Sequence, residues 1–345
     1  MNRFSSFVLG ALSLGTLTAA VACGDDGGSG GSGETTSTTG TASPTTATSP
    51  TTTASTGSNQ GGGGGTNQGG GGGTPSCDNL PMEEIEPVLA TSLFNGTEDL
   101  TFDGKGNIVG KDGNEIIAVD ADDNVTPIGN LPSQTFGFRY GITGDIFAAR
   151  PGLGTVVRIT PDGMVNDFAM GLAQPNGVYP DLDGNVWVTA SGSGDVIKFD
   201  DAGMETPITM GIAVNGIVLD PTRDLLFFTD YSQGKIMRVD PEGATMPVEV
   251  ADIQGANLDG LVMDECGNIY AVDNGQNRLF RVALDAAGDM VGMPVLLASF
   301  PANVANAQFG SGPGWDPNTL YVAGNPGEVY SVPVGVAGAP VATPP

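Results

Sequence analysis

Six copies of one pattern follow one another along the chain, each with an anchor residue, a short apolar run, a turn and a second apolar run. We define the anchor as the residue nine positions before the polar residue that ends the turn. The anchors are Glu98, Phe136, Asn176, Asn215, Asp259 and Phe309, with spacings of 38, 40, 39, 44 and 50 residues. A repeat of about forty residues made only of short strands is typical of a β-propeller. The sequence therefore predicts an all-β fold with six four-stranded blades.

Two copies show how the four strands of a blade follow one another. The predicted strands are 177–180, 185–189, 195–200 and 207–211 in the third copy, and 216–220, 225–229, 235–240 and 247–251 in the fourth. The second strands, such as the one that contains Val186, Trp187 and Val188, are apolar throughout. Such a run indicates burial on both faces, as expected between neighbouring blades.

The ends of the repeat region predict how the ring closes. Residues 87–91 resemble the outer strands at 247–251 and 294–298, and they precede the first anchor. The last copy ends at its third strand, 328–332, and a tail at 333–345 is expected to be irregular. We therefore expect the N-terminal strand to become the outermost strand of the last blade, which removes an exposed sheet edge.

The first 76 residues cannot contribute a core. Residues 1–22 contain Arg3 and an apolar segment at 7–21, and they are expected to be a signal peptide. Residues 23–76 are almost entirely Gly, Thr, Ser, Pro, Asn and Gln, so they are expected to form a disordered tether. The folded body is then predicted to be one domain, 77–345.

The three cysteines bear on export. Ala20-Val21-Ala22 fits an ordinary signal-peptidase site, whereas the following Cys23 resembles a bacterial lipobox that carries Ala20 in place of Leu. We expect lipidation at Cys23 and a location in the bacterial cell envelope. The remaining Cys77 and Cys266 form either a disulfide or two unrelated thiols.

Charge and composition exclude several functions. The chain has 12 basic and 39 acidic residues, which argues against nucleic acid as a partner because phosphates need a basic face. It contains no His at all. This absence removes the usual zinc ligand and the usual general base together.

Four of the six anchors carry side-chain oxygen atoms. If the copies form a ring, Glu98, Asn176, Asn215 and Asp259 converge on its axis. Two carboxylates and two amide carbonyls suit Ca²⁺, because Mg²⁺ demands tighter octahedral geometry and Zn²⁺ prefers nitrogen or sulfur. The alternative is that these residues belong to ordinary Asn-Gly and Asp-Gly turns and that the channel holds only water.

Three segments resemble the senescence-marker-protein/gluconolactonase family of six-bladed propellers. They are NGIVLDPTRDLLFFTDYSQGKIMRVD, LDGLVMDECGNIYAVDNGQNRLFRV and ANAQFGSGPGWDPNTLYVAG, and the resemblance covers roughly residues 85–332. It implies a divalent ion on the propeller axis, held by Glu98, Asn215 and Asp259. Asn176 matches a further Asn that faces substrate or metal in that family.

The chain also departs from the family pattern. Asp99 and Leu100 follow the Glu where the family has Gly-Pro, and Ala173-Gln174-Pro175 replaces a segment that carries Arg. The paraoxonase branch of related propellers uses a His relay, which this chain cannot form. The substrate therefore stays open.

These observations lead to three functional hypotheses. The first is a Ca²⁺-dependent hydrolase of lactones or related esters, in which Asp259 activates water and Lys111 or Arg150 contacts an anionic substrate. The second is a non-catalytic, surface-tethered scaffold. The third is a metal-dependent lyase or isomerase that uses Asp230 and Tyr231. For the hydrolase we expect a monomer that acts on small molecules and touches a membrane only through its N-terminal lipid.

Overall fold

In the computed structural model the described residues are 77–210, 212–324 and 326–345. They form six antiparallel sheets of four strands each, which confirms the predicted six-bladed propeller. None of the helices in this part of the chain is long and apolar enough to cross a membrane. The predicted signal peptide, the tether and Cys23 lie outside the described residues.

Each of the first five blades is continuous in sequence and runs from the axis outward. Blade 1 contains β2 (Thr101–Phe102), β3 (Asn107–Asp112), β4 (Glu115–Asp120) and β5 (Val125–Asn130). Blade 2 contains β6 (Phe138–Tyr140), β7 (Ile146–Arg150), β8 (Thr155–Ile159) and β9 (Val165–Met170). Blade 3 contains β10 (Pro175–Pro180), β11 (Val186–Ala190), β12 (Asp195–Phe199) and β13 (Glu205–Thr209).

The remaining blades follow the same order. Blade 4 contains β14 (Val214–Asp220), β15 (Leu225–Asp230), β16 (Lys235–Val239) and β17 (Val248–Asp252). Blade 5 contains β18 (Leu258–Met263), β19 (Ile269–Asp273), β20 (Arg278–Val282) and β21 (Val295–Ser299). Blade 6 contains β22 (Asn306–Phe309), β23 (Thr319–Ala323), β24 (Val329–Pro333) and, outermost, β1 (Val88–Thr91). Two short 3₁₀ turns lie at Cys77–Asn79 and Pro151–Leu153.

The core lies between the blades, where the second strands are sandwiched. Every residue of β11, β19 and β23 is buried, as the apolar runs predicted. Trp187 in β11 is almost fully buried, and its indole nitrogen donates a hydrogen bond to Asp181 over 3.0 Å. These strands bury both faces because a neighbouring blade packs on each side.

The N-terminal strand closes the ring as predicted. In β1, Val88 lies opposite Ser331 of β24, so blade 6 is assembled from both ends of the described chain. Two contacts hold the segment that precedes this strand. Cys77 and Cys266 form a disulfide with their Cα atoms 5.8 Å apart, and the Ile85 N–H donates to the Leu297 carbonyl over 2.6 Å.

The last twelve residues, 334–345, contain no strand and lie across the ends of the inner strands opposite to the anchors. The Glu265 N–H donates to the Ala337 carbonyl, and the Ala339 N–H donates to the Met263 carbonyl, each over 2.9 Å. Further along, Pro345 packs beside Gly144 of blade 2. The tail therefore covers one end of the propeller axis.

Neighbouring inner strands approach closely where glycine follows an anchor. A methyl group on Gly177 would lie 2.5 Å from the Asn215 carbonyl oxygen, and one on Gly216 would overlap the Asp259 carbonyl. Glycine is needed here because the backbone of the next blade occupies the space of a side chain.

We predict that Gly216→Ala destabilises the propeller by roughly 1–3 kcal/mol, the usual cost of overpacking a closely packed site. Gly152→Ala is the matched control, because nothing lies within 4 Å of the added methyl group. Urea unfolding of both variants measures the difference. Equal stability of the two variants would show that the inner strands are not in tight contact.

Candidate functional site

Three of the anchors occupy equivalent positions at the start of an inner strand. Asn176, Asn215 and Asp259 are the second residues of β10, β14 and β18. In each strand the pairing register shifts across the anchor and the glycine that follows it. Such bulges turn side chains out of the regular pleat. The repeated irregularity explains how residues within a sheet present their side chains to the axis.

Buried threonines hold consecutive anchors in place. The Thr189 hydroxyl accepts a hydrogen bond from the Gly177 N–H over 2.7 Å and donates to the Asn215 carbonyl of the next blade. One blade further, the Thr229 hydroxyl accepts from the Gly216 N–H over 2.8 Å and donates to the Asp259 carbonyl over 3.2 Å. Both threonines are fully buried. Asn215 and Asp259 are therefore each held by the blade before them.

The four predicted oxygen donors line one cavity of about 530 Å³ at this end of the axis. Glu98 is partly buried, whereas Asn176, Asn215 and Asp259 are only 7, 7 and 4% exposed. The other lining residues are Gln134, Phe136, Gln174, Ser191, Ala213, Val214, Tyr231, Asn274, Asn303 and Ala305. The structure thus brings Glu98, Asn176, Asn215 and Asp259 to one polar cavity, which we call the axial cavity.

Two oxygens of this set have no partner within the described part of the chain. Asn215 Oδ1 and Asp259 Oδ1 are buried and accept no hydrogen bond. An unsatisfied buried acceptor costs roughly 1–3 kcal/mol. Among the described residues, no three Asp, Glu, His or Cys side chains form a metal cluster, so a cation site here depends on the two amides as well.

Electrostatics makes the two carboxyls hard to ionise. Burial raises the pKa of Asp259 to about 8, and the negative charge of Asp99 adds to the shift. Burial also holds the pKa of Glu98 well above its usual range, and Asp259 and Asp99 contribute as neighbouring like charges. Either a proton or a cation is needed to relieve this repulsion.

Beneath the cavity lies a buried ion pair. Asp99, 2% exposed, pairs with Arg139 and accepts hydrogen bonds from the Phe138 and Leu100 N–H groups over 2.9 and 2.8 Å. With its amide oxygen turned towards Arg139, Gln308 accepts from the same guanidinium. In blade 1, a carboxylate therefore occupies the position that is glycine in blades 2 to 5, and it bridges to blade 2 through its side chain.

One anchor was assigned wrongly. Phe136 lines the axial cavity, but Phe309 lies at the other end of its strand, packed against Gly338 of the tail. The Gly260 N–H donates to the Ala305 carbonyl over 2.8 Å, so Ala305 occupies the anchor position of blade 6. Five residues, 264–268, connect β18 to β19, whereas nine, 310–318, connect β22 to β23. A fixed count of nine residues back from Asn318 therefore falls four positions short of the anchor in blade 6.

Other cavity residues occupy repeated positions, and of these residues the sequence analysis assigned a role only to Tyr231. Gln134, Gln174, Ala213 and Asn303 each lie two residues before the anchor position, and Ser191, Tyr231 and Asn274 each directly follow a second strand. The Tyr231 hydroxyl donates to Asn274 Oδ1 over 3.3 Å. The same repeat count, applied to these positions, would have found most of them but not Asn303, because the count misplaces the anchor of blade 6.

The two cations proposed for substrate binding do not line the cavity. Lys111 is 3% exposed, and its ammonium donates to the Ser133 carbonyl. Arg150 lies 3.7 Å from Asp167 of its own blade. Asp230 is also absent from the lining, whereas Tyr231 is part of it. The described walls of the cavity carry no positive charge.

Comparison with known proteins extends the description of the fold. No family model and no curated protein matches the chain. Solved structures do match. A gluconolactonase from Xanthomonas campestris has a TM-score of 0.61 at 15% identity over 75% of this chain and 96% of its own. Regucalcin, a calcium-binding protein from Agrobacterium tumefaciens, has a TM-score of 0.60 at 16% identity over 76% of this chain and 98% of its own.

A third match has a different activity. Virginiamycin B lyase from Staphylococcus aureus has a TM-score of 0.53 at 16% identity over 68% of this chain and 79% of its own. A structure of the same lyase describes a variant with one histidine replaced by alanine as catalytically inactive. The structural neighbours therefore include gluconolactonase- and regucalcin-like propellers, and at these identities they establish a shared fold.

We predict that chelator-treated protein loses stability as the pH rises from 5 to 8. Asp259 has an ordinary pKa of 3.8 and a folded-state pKa of about 8. The folded protein holds this proton more tightly than the unfolded chain does. The resulting stabilisation is therefore complete below pH 3.8 and is lost as the pH rises to about 8. Glu98, whose pKa is also raised, likewise lowers the stability of the protein as the pH rises. The measurement is the melting temperature across this pH range.

Asp259→Asn is the control, because it removes the titrating group and keeps the shape of the side chain. Its melting temperature should depend less on pH than that of the unchanged protein. If the two proteins show the same slope, the axial carboxyls are not destabilised by burial.

Proposed function

We propose that the protein is a Ca²⁺-dependent hydrolase that opens lactones or related esters in the axial cavity. The observation that carries this proposal is the pair of buried, unpartnered oxygens on Asn215 and Asp259, which lie in a cavity that also holds Glu98 and Asn176. Structural likeness to a gluconolactonase and to a calcium-binding protein supports the same assignment.

The residues present fit a hard divalent cation. Glu98, Asn215 and Asp259 would hold it, with Asn176 as a further oxygen donor or a substrate contact. The two carboxylates bring a charge of −2, which a dication would neutralise, and Ca²⁺ accepts such mixed oxygen sets with water completing its shell. When bound, the cation supplies Lewis-acid polarisation of the substrate carbonyl.

Asp259 is the residue we assign to proton transfer. One of its carboxyl oxygens has no partner in the described chain, and a group with a pKa near the working pH is the most effective general base. A directly bound dication lowers the pKa of a carboxylate and weakens it as a base, so Asp259 would have to turn partly off the cation to act. The carboxylate would then accept a proton from the attacking water.

The rim residues suit the binding of a polar substrate. Asn274 is held by its own hydrogen bond to the Val304 carbonyl over 2.9 Å, which orients its amide at the cavity wall. Gln134, Gln174 and Ser191 offer further donors and acceptors. Since no cationic side chain lines the described walls, only the bound cation could pair with an anionic substrate.

The two alternatives find less support. The related lyase becomes inactive when one histidine is lost, and this chain has no histidine to serve in such a reaction. A scaffold role would leave the buried oxygens of Asn215 and Asp259 without a purpose. It would nevertheless be the conclusion if purified protein held no metal and hydrolysed no lactone.

We predict chelator-sensitive hydrolysis in a panel of neutral lactones, with bound calcium found by elemental analysis. Glu98→Gln should weaken Ca²⁺ binding at least tenfold, corresponding to about 1.4 kcal/mol, because it removes one of two ligand charges. The matched control is Glu249→Gln, since Glu249 lies on an outer strand and pairs with Lys235. Calcium binding and kcat/KM are measured for both variants.

The catalytic assignment of Asp259 is separable from its ligand role. At saturating Ca²⁺, Glu98→Gln should recover part of its turnover, whereas Asp259→Asn should stay roughly 10²–10⁴-fold slower because the proton acceptor is lost. Equal recovery of both variants would rule out Asp259 as the base.

We also propose that the protein is exported and anchored to a bacterial membrane through lipid on Cys23. The disulfide between Cys77 and Cys266 supports export, because such bonds persist in oxidising compartments. We predict that Cys23→Ala moves the protein from the membrane fraction to the soluble fraction of the cell envelope. An unchanged distribution on fractionation would contradict lipidation at this residue.

A further inference from the structure

A second cavity lies at the opposite end of the propeller axis. It has a volume of about 280 Å³, and we call it the tail cavity because residues 337–341 of the C-terminal tail form part of its wall. The inner strands supply Tyr179, Val218, Leu261 and Phe309. Here a tail of small residues and prolines covers the end of the channel without filling it.

The tail cavity is separate from the axial cavity. None of its lining residues also lines the axial cavity. Gln308, which lines the tail cavity, contacts the guanidinium of Arg139, and Arg139 pairs with Asp99. This buried ion pair lies between the two spaces. A ligand in the tail cavity would therefore not touch Glu98 or Asp259.

Size and polarity define what the tail cavity can hold. An apolar cavity of about 150 Å³ in another protein stays dry and binds benzene, so 280 Å³ accommodates about two fused rings. No Asp, Glu, Lys or Arg side chain is among its described lining residues, so nothing there compensates a charged ligand. Water is a poor occupant because most of the wall cannot hydrogen-bond to it.

The wall contains four polar side chains, those of Tyr179, Gln308, Ser311 and Thr343, and the Tyr179 hydroxyl is available to a ligand. The Tyr179 hydroxyl makes no hydrogen bond within the described part of the chain, and burial keeps its pKa far above the ordinary value, so it stays protonated. A hydroxyl can both donate and accept one hydrogen bond. It would therefore fix the orientation of a ligand with a single polar atom at its edge.

The cover of the cavity is weakly held at its end. Ala337 and Ala339 are tied by backbone hydrogen bonds to blade 5, but residues 340–345 make none within the described chain. Val341, which lines the cavity, is 42% exposed. Residues 337–339 of the cover are therefore held by hydrogen bonds, whereas residues 340–345 are held by packing, with Ala342 buried and Pro345 beside Gly144.

We propose that the tail cavity is a binding site for a small, uncharged and mainly apolar molecule of about two fused rings. The site is independent of the cation and of hydrolysis in the axial cavity. It uses Val218, Leu261, Met263 and Phe309 as its apolar walls and Tyr179 as its hydrogen-bonding group.

Indole is the probe, and ¹³C-methyl methionine NMR of the full chain is the measurement. Met263 lines the cavity, whereas Met246 and Met293 are both 83% exposed elsewhere. Indole should shift the Met263 methyl signal in a saturable way and leave the signals of the two exposed methionines in place. No shift at Met263, or similar shifts at all three residues, would overturn the proposal.

Two variants locate the binding further. Val218→Phe places a ring into the cavity and should weaken indole binding at least tenfold, whereas Val125→Phe, the same change on an outer strand, should leave it unchanged. Glu98→Gln and added chelator should have no effect, so the result is distinct from the test of hydrolysis. Undiminished binding by folded Val218→Phe would place indole elsewhere and overturn the proposal. If that variant does not fold, the Met263 signal in the unchanged protein still decides.

Discussion

Contact between inner strands at the axis is the constraint on which the site depends. Gly177 and Gly216 have no room for a side chain, and the buried hydroxyls of Thr189 and Thr229 link each of these glycines to the anchor of the next blade. The same contacts join neighbouring blades and position Asn215 and Asp259. The packing of the blades therefore fixes the positions of these two anchors, and with them the positions of their side-chain oxygens.

Packing at the axis also concentrates charge. Glu98, Asp99 and Asp259 lie close enough for each to disfavour ionisation of another, and Arg139 compensates only Asp99. Two carboxyls are left whose burial is unfavourable when they are ionised. Functional sites often contain such groups, which reduce stability in the unliganded protein and are relieved when a ligand binds. A cation that neutralises the pair would stabilise the fold and create an electrophilic centre at the same time.

Much of this arrangement follows from the repeat in the sequence. Blade number, strand order and closure by the N-terminal strand were predictable because alternation, turn spacing and the apolar second strands agree along most of the chain. The convergence of Glu98, Asn176, Asn215 and Asp259 followed from ring geometry alone. Phe309 was misplaced because a fixed count assumes equal turns, and the turn before Thr319 is longer than the others.

The parts that could not be predicted depend on contacts between distant segments. Nothing local in the sequence pairs Asp99 with Arg139, and the burial of Lys111 against Ser133 depends on how blades 1 and 2 pack. The course of the tail across the channel end was equally inaccessible, because its Ala, Gly and Pro residues carry no periodic pattern. The sequence left Cys77 and Cys266 as either a disulfide or two unrelated thiols, and the structure shows the disulfide.

The disulfide has a consequence for the order in which the ring is built. Strand β1 pairs with β24, and Val88 and the Ser331 hydroxyl meet across a separation of 243 residues, so this blade cannot form until nearly the whole chain has been synthesised. Cys266 belongs to the preceding blade and becomes available earlier. Once bonded to Cys77, it holds the N-terminal segment beside the place where the last blade assembles. The final pairing then closes a shorter loop than it would without the disulfide, which lowers the entropic cost of completing the circle.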